Sequence, residues 1–188
     1  VLGYGRIAHW ALDLNLLKAE LAACDEAGIG IYTVSLLGWW RYALPGATDA
    51  QIRDMTEAGY KALIGECRSR GMIALIDIHN QNSGSRKHGE QGRRLDDPAE
   101  VALIDWGIEL VRQHGPANVV VVPCRETGDA GGLAVERKCV EQLDGFQLCA
   151  NTGARTWPVP GWADFAEWHP WNVNEVPPAG AIVASDTA

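Results

Sequence analysis

The 188-residue sequence contains no apolar stretch that approaches the length of a membrane span, and no signal peptide is visible in it. It holds no basic tract longer than Arg93-Arg94 and carries a formal charge of −8, which argues against nucleic acid and membrane surfaces as partners. Its five cysteines form no C-x-x-C pair, so a structural zinc site and a thioredoxin-like motif are unsupported. No glycine-rich dinucleotide fingerprint follows any candidate strand, and no His-x-His occurs. There is no Gly/Ser linker, low-complexity tract or short-period repeat, so residues 1–188 read as one domain with a proper core. The first residue is Val1, which leads us to expect a processed product or a piece of a longer polypeptide.

Tryptophan is the unusual residue, with eight copies against two Phe. Each indole is either core filling or part of an aromatic pocket wall, since it offers a flat apolar face and one polar N–H. Cys24 and Cys67 fall on the apolar stripes of expected helices and Cys124 within an expected strand, which suits buried free thiols.

Three short pieces share one design, an apolar run that ends in polar, titratable side chains. They are Met72–His79, Val119–Glu126 and Ala181–Asp186. Continuous apolar runs of this length suit strands buried on both faces, as in a parallel sheet covered by helices. Function in such folds collects at the carboxyl ends of the strands, so Asp77, His79, Glu126 and Asp186 are expected around one mouth. Side chains two apart share a face, which puts Asp77 beside His79 as an orienting partner or a buried structural carboxylate.

Between these strands the helices are well signalled. Leu14, Leu17, Leu21 and Cys24 recur at helical spacing before Gly28. Thr48 with Gln51 makes a capping box ahead of Ile52, Met55, Gly59, Leu63 and Cys67, and Gly71 closes that helix. Asp97-Pro98-Ala99-Glu100 is a third start, followed by Val101, Ile104, Ile108 and Val111. A weaker helix is expected over Leu133–Leu143. Further strands are expected near Val1–Ile7, Ile31–Leu37, Phe146–Ala150, Phe165–Trp168 and Ala181–Ala184. Alternating strands and helices imply parallel strands joined by right-handed crossovers. About seven strands describe an α/β fold of the (β/α)8 TIM-barrel class, incomplete in this chain, because a full barrel takes about 200–250 residues. The alternative is a doubly wound open sheet.

Several segments, taken in order, resemble the clan of retaining glycoside hydrolases built on this barrel, of which family 5 cellulases and mannanases are typical. Leu75-Ile-Asp-Ile-His-Asn80 is similar to the clan's third-strand motif, and Val122-Pro-Cys-Arg-Glu126 to the fourth-strand end that carries its acid/base. Trp168-His-Pro-Trp171 is similar to the sixth-strand segment, and Ile182-Val-Ala-Ser-Asp186 to the seventh-strand end that carries the nucleophile. The resemblance implies Glu126 as acid/base and Asp186 as nucleophile, about 5–5.5 Å apart for a retaining double displacement. It further implies that His79 and His169 hydrogen-bond sugar hydroxyls or the nucleophile, that Asn80 binds substrate, that Trp39, Trp40 and Trp171 stack on pyranose faces, and that no cofactor or metal is needed. The partner would be a polysaccharide or oligosaccharide, in a secreted or particle-associated setting. The sequence departs from the clan at five points. Arg125 stands where the clan has Asn, Thr127 replaces a frequent Pro, Asp186 is one methylene shorter than Glu, the second strand lacks an Arg, and Trp171 stands where a Tyr is expected after the sixth-strand His.

Three alternatives use the same residues. Glu126 could pair with Arg125 or Arg155 as a structural carboxylate. Asp77, His79, Glu126, His169 and Asp186 could hold a divalent metal that activates water. A barrel with these departures could also be a non-catalytic carbohydrate-binding or structural domain, joined to other parts of a longer chain or an assembly such as a phage tail.

Overall fold

The computed structural model describes residues 2–6, 10–37, 40, 44–80, 97–125, 130–151, 160–168 and 182–183. In chain order these form β1 (Leu2–Arg6), α1 (Leu14–Glu26), β2 (Ile29–Ser35), α2 (Asp49–Arg70), β3 (Ile73–Asn80), α3 (Pro98–His114), β4 (Val119–Arg125), α4 (Ala130–Gln142), β5 (Gln147–Asn151), β6 (Phe165–Trp168) and β7 (Ile182–Val183). The strands lie side by side in sequence order from β1 to β7, and every pairing is parallel. This is the incomplete (β/α)8 barrel expected from the sequence, with seven strands, and the doubly wound alternative is set aside because the strand order never reverses.

Local chemistry fixes where the helices begin and end. Asp13 caps α1, its side chain accepting from the N–H groups of Asn15 and Leu16 at 2.9 and 3.1 Å. Thr48 and Gln51 form the reciprocal capping box of α2, and Gly71 ends that helix in the left-handed region at φ 67°. Asp97 caps α3 ahead of Pro98. The α4 helix begins at Ala130, three residues earlier than its apolar pattern suggests, because the pair Gly131-Gly132 reads locally as a loop yet is accommodated in the first turn. The second strand ends at Ser35, although Leu36 and Leu37 still donate to the carbonyls of Asp77 and Ile78 at 2.7 and 3.3 Å.

Alternation along the strands divides the apolar residues into two cores. Tyr32, Val34, Ala74, Ile76, Ile78, Val119 and Val121 pack outward against the helices. Leu75, Val120, Val122 and Cys149 form a smaller cluster, joined by Ile31, Ile73 and Phe165, which fills the inside of the barrel. All five cysteines are buried and unbridged, in line with the reading of Cys24, Cys67 and Cys124 as buried free thiols.

Two glycines in helices mark close approaches. A Cβ on Gly59 would overlap the Ala11 Cβ and lie 2.9 Å from the Trp10 ring, so α2 rests directly on the turn before α1. A Cβ on Gly107 of α3 would lie 2.7 Å from the Leu37 side chain.

Candidate functional site

The carboxyl ends of β2, β3 and β4 form the described part of the expected mouth. Ser35 on β2 lies in register with Asp77 on β3, and Asp77 with Val122 on β4. One step further, His79 is beside Cys124 and Asn80 beside Arg125. Two buried polar contacts dominate this region.

The first joins Asp77 and Arg125. The guanidinium donates from Nε to one carboxylate oxygen at 2.7 Å and from a terminal nitrogen to the other at 3.3 Å. Both side chains are almost fully enclosed, at 0% and 3% exposure. A two-pronged contact of this kind is the geometry in which a buried arginine is best matched. Asp77 is therefore a buried carboxylate paired with Arg125. Arg125, at the position where the resembling clan has Asn, is held by that carboxylate.

The second contact joins His79 and Glu100. His79 Nε2 lies 3.1 Å from Glu100 Oε1, and the two residues are 1% and 4% exposed. Asp77 and His79, two apart on one strand, thus engage different partners. His79 Nδ1 and Ser35 Oγ are buried with no hydrogen-bond partner among the described residues.

Glu100 was not singled out for chemistry by its sequence, where it reads as an acidic residue in a helix first turn. A signal was present nonetheless, since Glu100 sits one turn before Ile104 and Ile108 on the stripe that α3 buries.

The sequence expectation for Trp40 is corrected. Its indole is 2% exposed, lies 6.4 Å from that of Trp10 and donates to the Leu36 carbonyl at 2.9 Å. With its faces packed and its N–H used, Trp40 is core rather than a platform for a sugar ring. Trp10 does the same work one layer away, donating to the Ser35 carbonyl at 2.9 Å.

Glu126, Asp186, Trp39, His169 and Trp171 lie outside the described residues, as does the side chain of Asn80. Among the described residues no three His, Cys, Asp or Glu side chains are grouped as a metal ion would require. No described helix is long and apolar enough to cross a membrane.

No protein-family model and no curated protein sequence matches the chain. Solved structures do match its fold. A glycoside hydrolase family 5 protein from Bacteroides vulgatus is similar with a TM-score of 0.57 and 14% identity, over 89% of this chain and 40% of that one. The endo-beta-1,4-mannanase from Thermotoga petrophila gives 0.60 at 9% identity, over 89% and 51%. A family 5 xyloglucanase from Paenibacillus pabuli gives 0.55 at 11% identity, over 90% and 62%. This chain spans 40–62% of the length of these three proteins. The likeness shows the fold: an incomplete (β/α)8 barrel similar to those of glycoside hydrolase family 5 structures, hence a glycoside-hydrolase-like domain in fold.

Proposed function

We propose that this domain engages a polysaccharide and hydrolyses its glycosidic bonds by double displacement, with retention at the anomeric carbon. The observation that carries the reading is the placement of β4: it ends at Arg125, directly before Glu126, in a barrel whose structural neighbours are glycosidases. The seventh strand ends at Val183, three residues before Asp186. In this reading the Glu126 carboxyl protonates the departing glycosidic oxygen while the Asp186 carboxylate attacks the anomeric carbon to give a glycosyl ester. Glu126 then deprotonates the water that breaks the ester. His79, Asn80 and His169 hydrogen-bond sugar hydroxyls, and Trp39 and Trp171 stack on pyranose faces. Mannan and xyloglucan, named for two of the structural neighbours, are the first substrates to test.

The test is to assay the chain, Glu126→Gln and Asp186→Asn against mannan, xyloglucan and other β-linked glycans, with binding measured separately. Loss of an acid/base group lowers turnover by about 10²–10⁴-fold. Both variants should lose turnover and keep glycan affinity. Turnover that survives in either variant removes that residue from its role.

One observation favours a second reading, a non-catalytic carbohydrate-binding domain. The residue before Glu126 is a guanidinium held by Asp77, where the resembling clan offers an amide to the sugar 2-hydroxyl. Glycan binding by the unaltered chain without turnover would select this reading.

A further inference from the structure

We infer that Glu100 is a positioning residue of the proposed site: it fixes His79 as the Nε2–H tautomer and turns Nδ1 into an acceptor for a ligand hydroxyl. The inference rests on the glycan-binding reading for the ligand, and on the 3.1 Å contact of His79 with Glu100 for the tautomer.

Glu100 is in the first turn of α3, at the end where the helix leaves free N–H groups. A carboxylate accepts, so the tautomer that fits the 3.1 Å contact has its proton on His79 Nε2. The other ring nitrogen, Nδ1, is buried and has no partner among the described residues. If the ring were an imidazolium, Nδ1 would be a buried N–H donor left unsatisfied, the costlier arrangement. A neutral ring leaves only a lone pair there. His79 stands at the carboxyl end of β3, in register with Cys124, two residues before the proposed acid/base. Ser35 Oγ, near the end of adjacent β2, is a second buried polar atom without a partner among the described residues. Native proteins pair nearly all such atoms, so two at neighbouring strand ends point to a hydroxyl-bearing ligand there. Glu100 touches no reacting atom in this scheme. It acts through His79, by fixing which nitrogen accepts.

The test is a nitrogen-15 NMR measurement of the histidine rings in the full chain, with His79→Gln identifying the His79 signals. At neutral pH, His79 should show a protonated Nε2 and an unprotonated Nδ1. Glu100→Gln, whose side chain can donate as well as accept, should let the Nδ1–H tautomer appear, while Glu100→Asp keeps the native one. A wild-type His79 in the Nδ1–H form, or no change in tautomer in Glu100→Gln, overturns the assignment; the wild-type measurement alone decides if the variant fails to fold. Saturating mannohexaose or xyloglucan oligosaccharide should shift the Nδ1 resonance, and Glu100→Gln should bind the bound glycan about tenfold more weakly, the loss of roughly one hydrogen bond. A glycan that binds without moving Nδ1 reduces Glu100 to a structural partner and overturns the inference. Failure of every glycan to bind counts instead against the polysaccharide reading, with the tautomer result still deciding the role of Glu100.

Discussion

Removing one partner of the Asp77–Arg125 pair should be among the most damaging substitutions in this chain. In Arg125→Met the Asp77 carboxylate stays at a site with 0% exposure and loses contacts of 2.7 and 3.3 Å. Each hydrogen bond to a charged group is worth about 1.5–3 kcal/mol, and removing one member of a buried pair costs about 3–5 kcal/mol. Against a total stability of about 5–15 kcal/mol, that is a large fraction. Asp77→Leu should cost a similar amount by removing the carboxylate that the buried guanidinium contacts at 2.7 and 3.3 Å. The double variant Asp77→Leu/Arg125→Met removes both charges and replaces the pair with apolar groups, so it should recover most of the loss. Urea unfolding of the four proteins gives a double-mutant cycle, with an expected coupling of roughly 5–8 kcal/mol, since two losses of about 3–5 kcal/mol give way to a double variant that costs little. Single substitutions costing under about 1 kcal/mol each, or effects that simply add, would refute the view that β3 and β4 are tied by a desolvated charge pair.

Other outcomes follow from the packing. Gly59→Ala should destabilise by about 1–3 kcal/mol in urea or thermal unfolding, because its methyl group meets the Ala11 Cβ and the Trp10 ring rather than a flexible side chain. Trp40→Ala should cost about 3–5 kcal/mol while leaving glycan affinity unchanged in a correctly folded sample, since its indole is in the core. Burial pushes the Cys67 thiol up from 9.0 to about 12 and raises that of Cys24 as well. From about pH 9 upward the unfolded chain therefore loses thiol protons that the folded chain keeps. Stability is full below pH 9 and declines as pH rises toward 12, which unfolding midpoints at pH 7 and pH 10.5 will show. The same burial should leave all five native thiols unreactive toward an aromatic disulfide reagent until the chain unfolds.

The fold was legible wherever one local signal sufficed. The cap residues Asp97 and Thr48 with Gln51, the stop at Gly71 and the apolar runs of β3 and β4 each act over a few residues, so their pattern survives in one dimension. Asp77 was legible as a buried carboxylate because it interrupts an apolar strand. Its partner was not, since Arg125 lies 48 positions away and strand register alone brings the two together. Trp40 shows the same limit from the other side. An indole beside a strand end looks alike in sequence whether it packs on Trp10 or faces a ligand, and only the approach of Trp10, 30 positions earlier, decides. Glu100 stood on a buried stripe, yet the first turn of a helix is also where solvated acidic residues are usual, so its sequence signal was divided.

The account stands most directly on the chemistry proposed for Asp186. The decisive measurement is mass spectrometry of the intact chain after incubation with 2-deoxy-2-fluoro glycosides of mannose and glucose, whose glycosyl esters form faster than they hydrolyse. A retaining double displacement predicts one added glycosyl group per chain, mapped to the peptide containing Asp186 and absent in Asp186→Asn. A label on another residue, or an unmodified chain under conditions in which it hydrolyses mannan or xyloglucan, would contradict it.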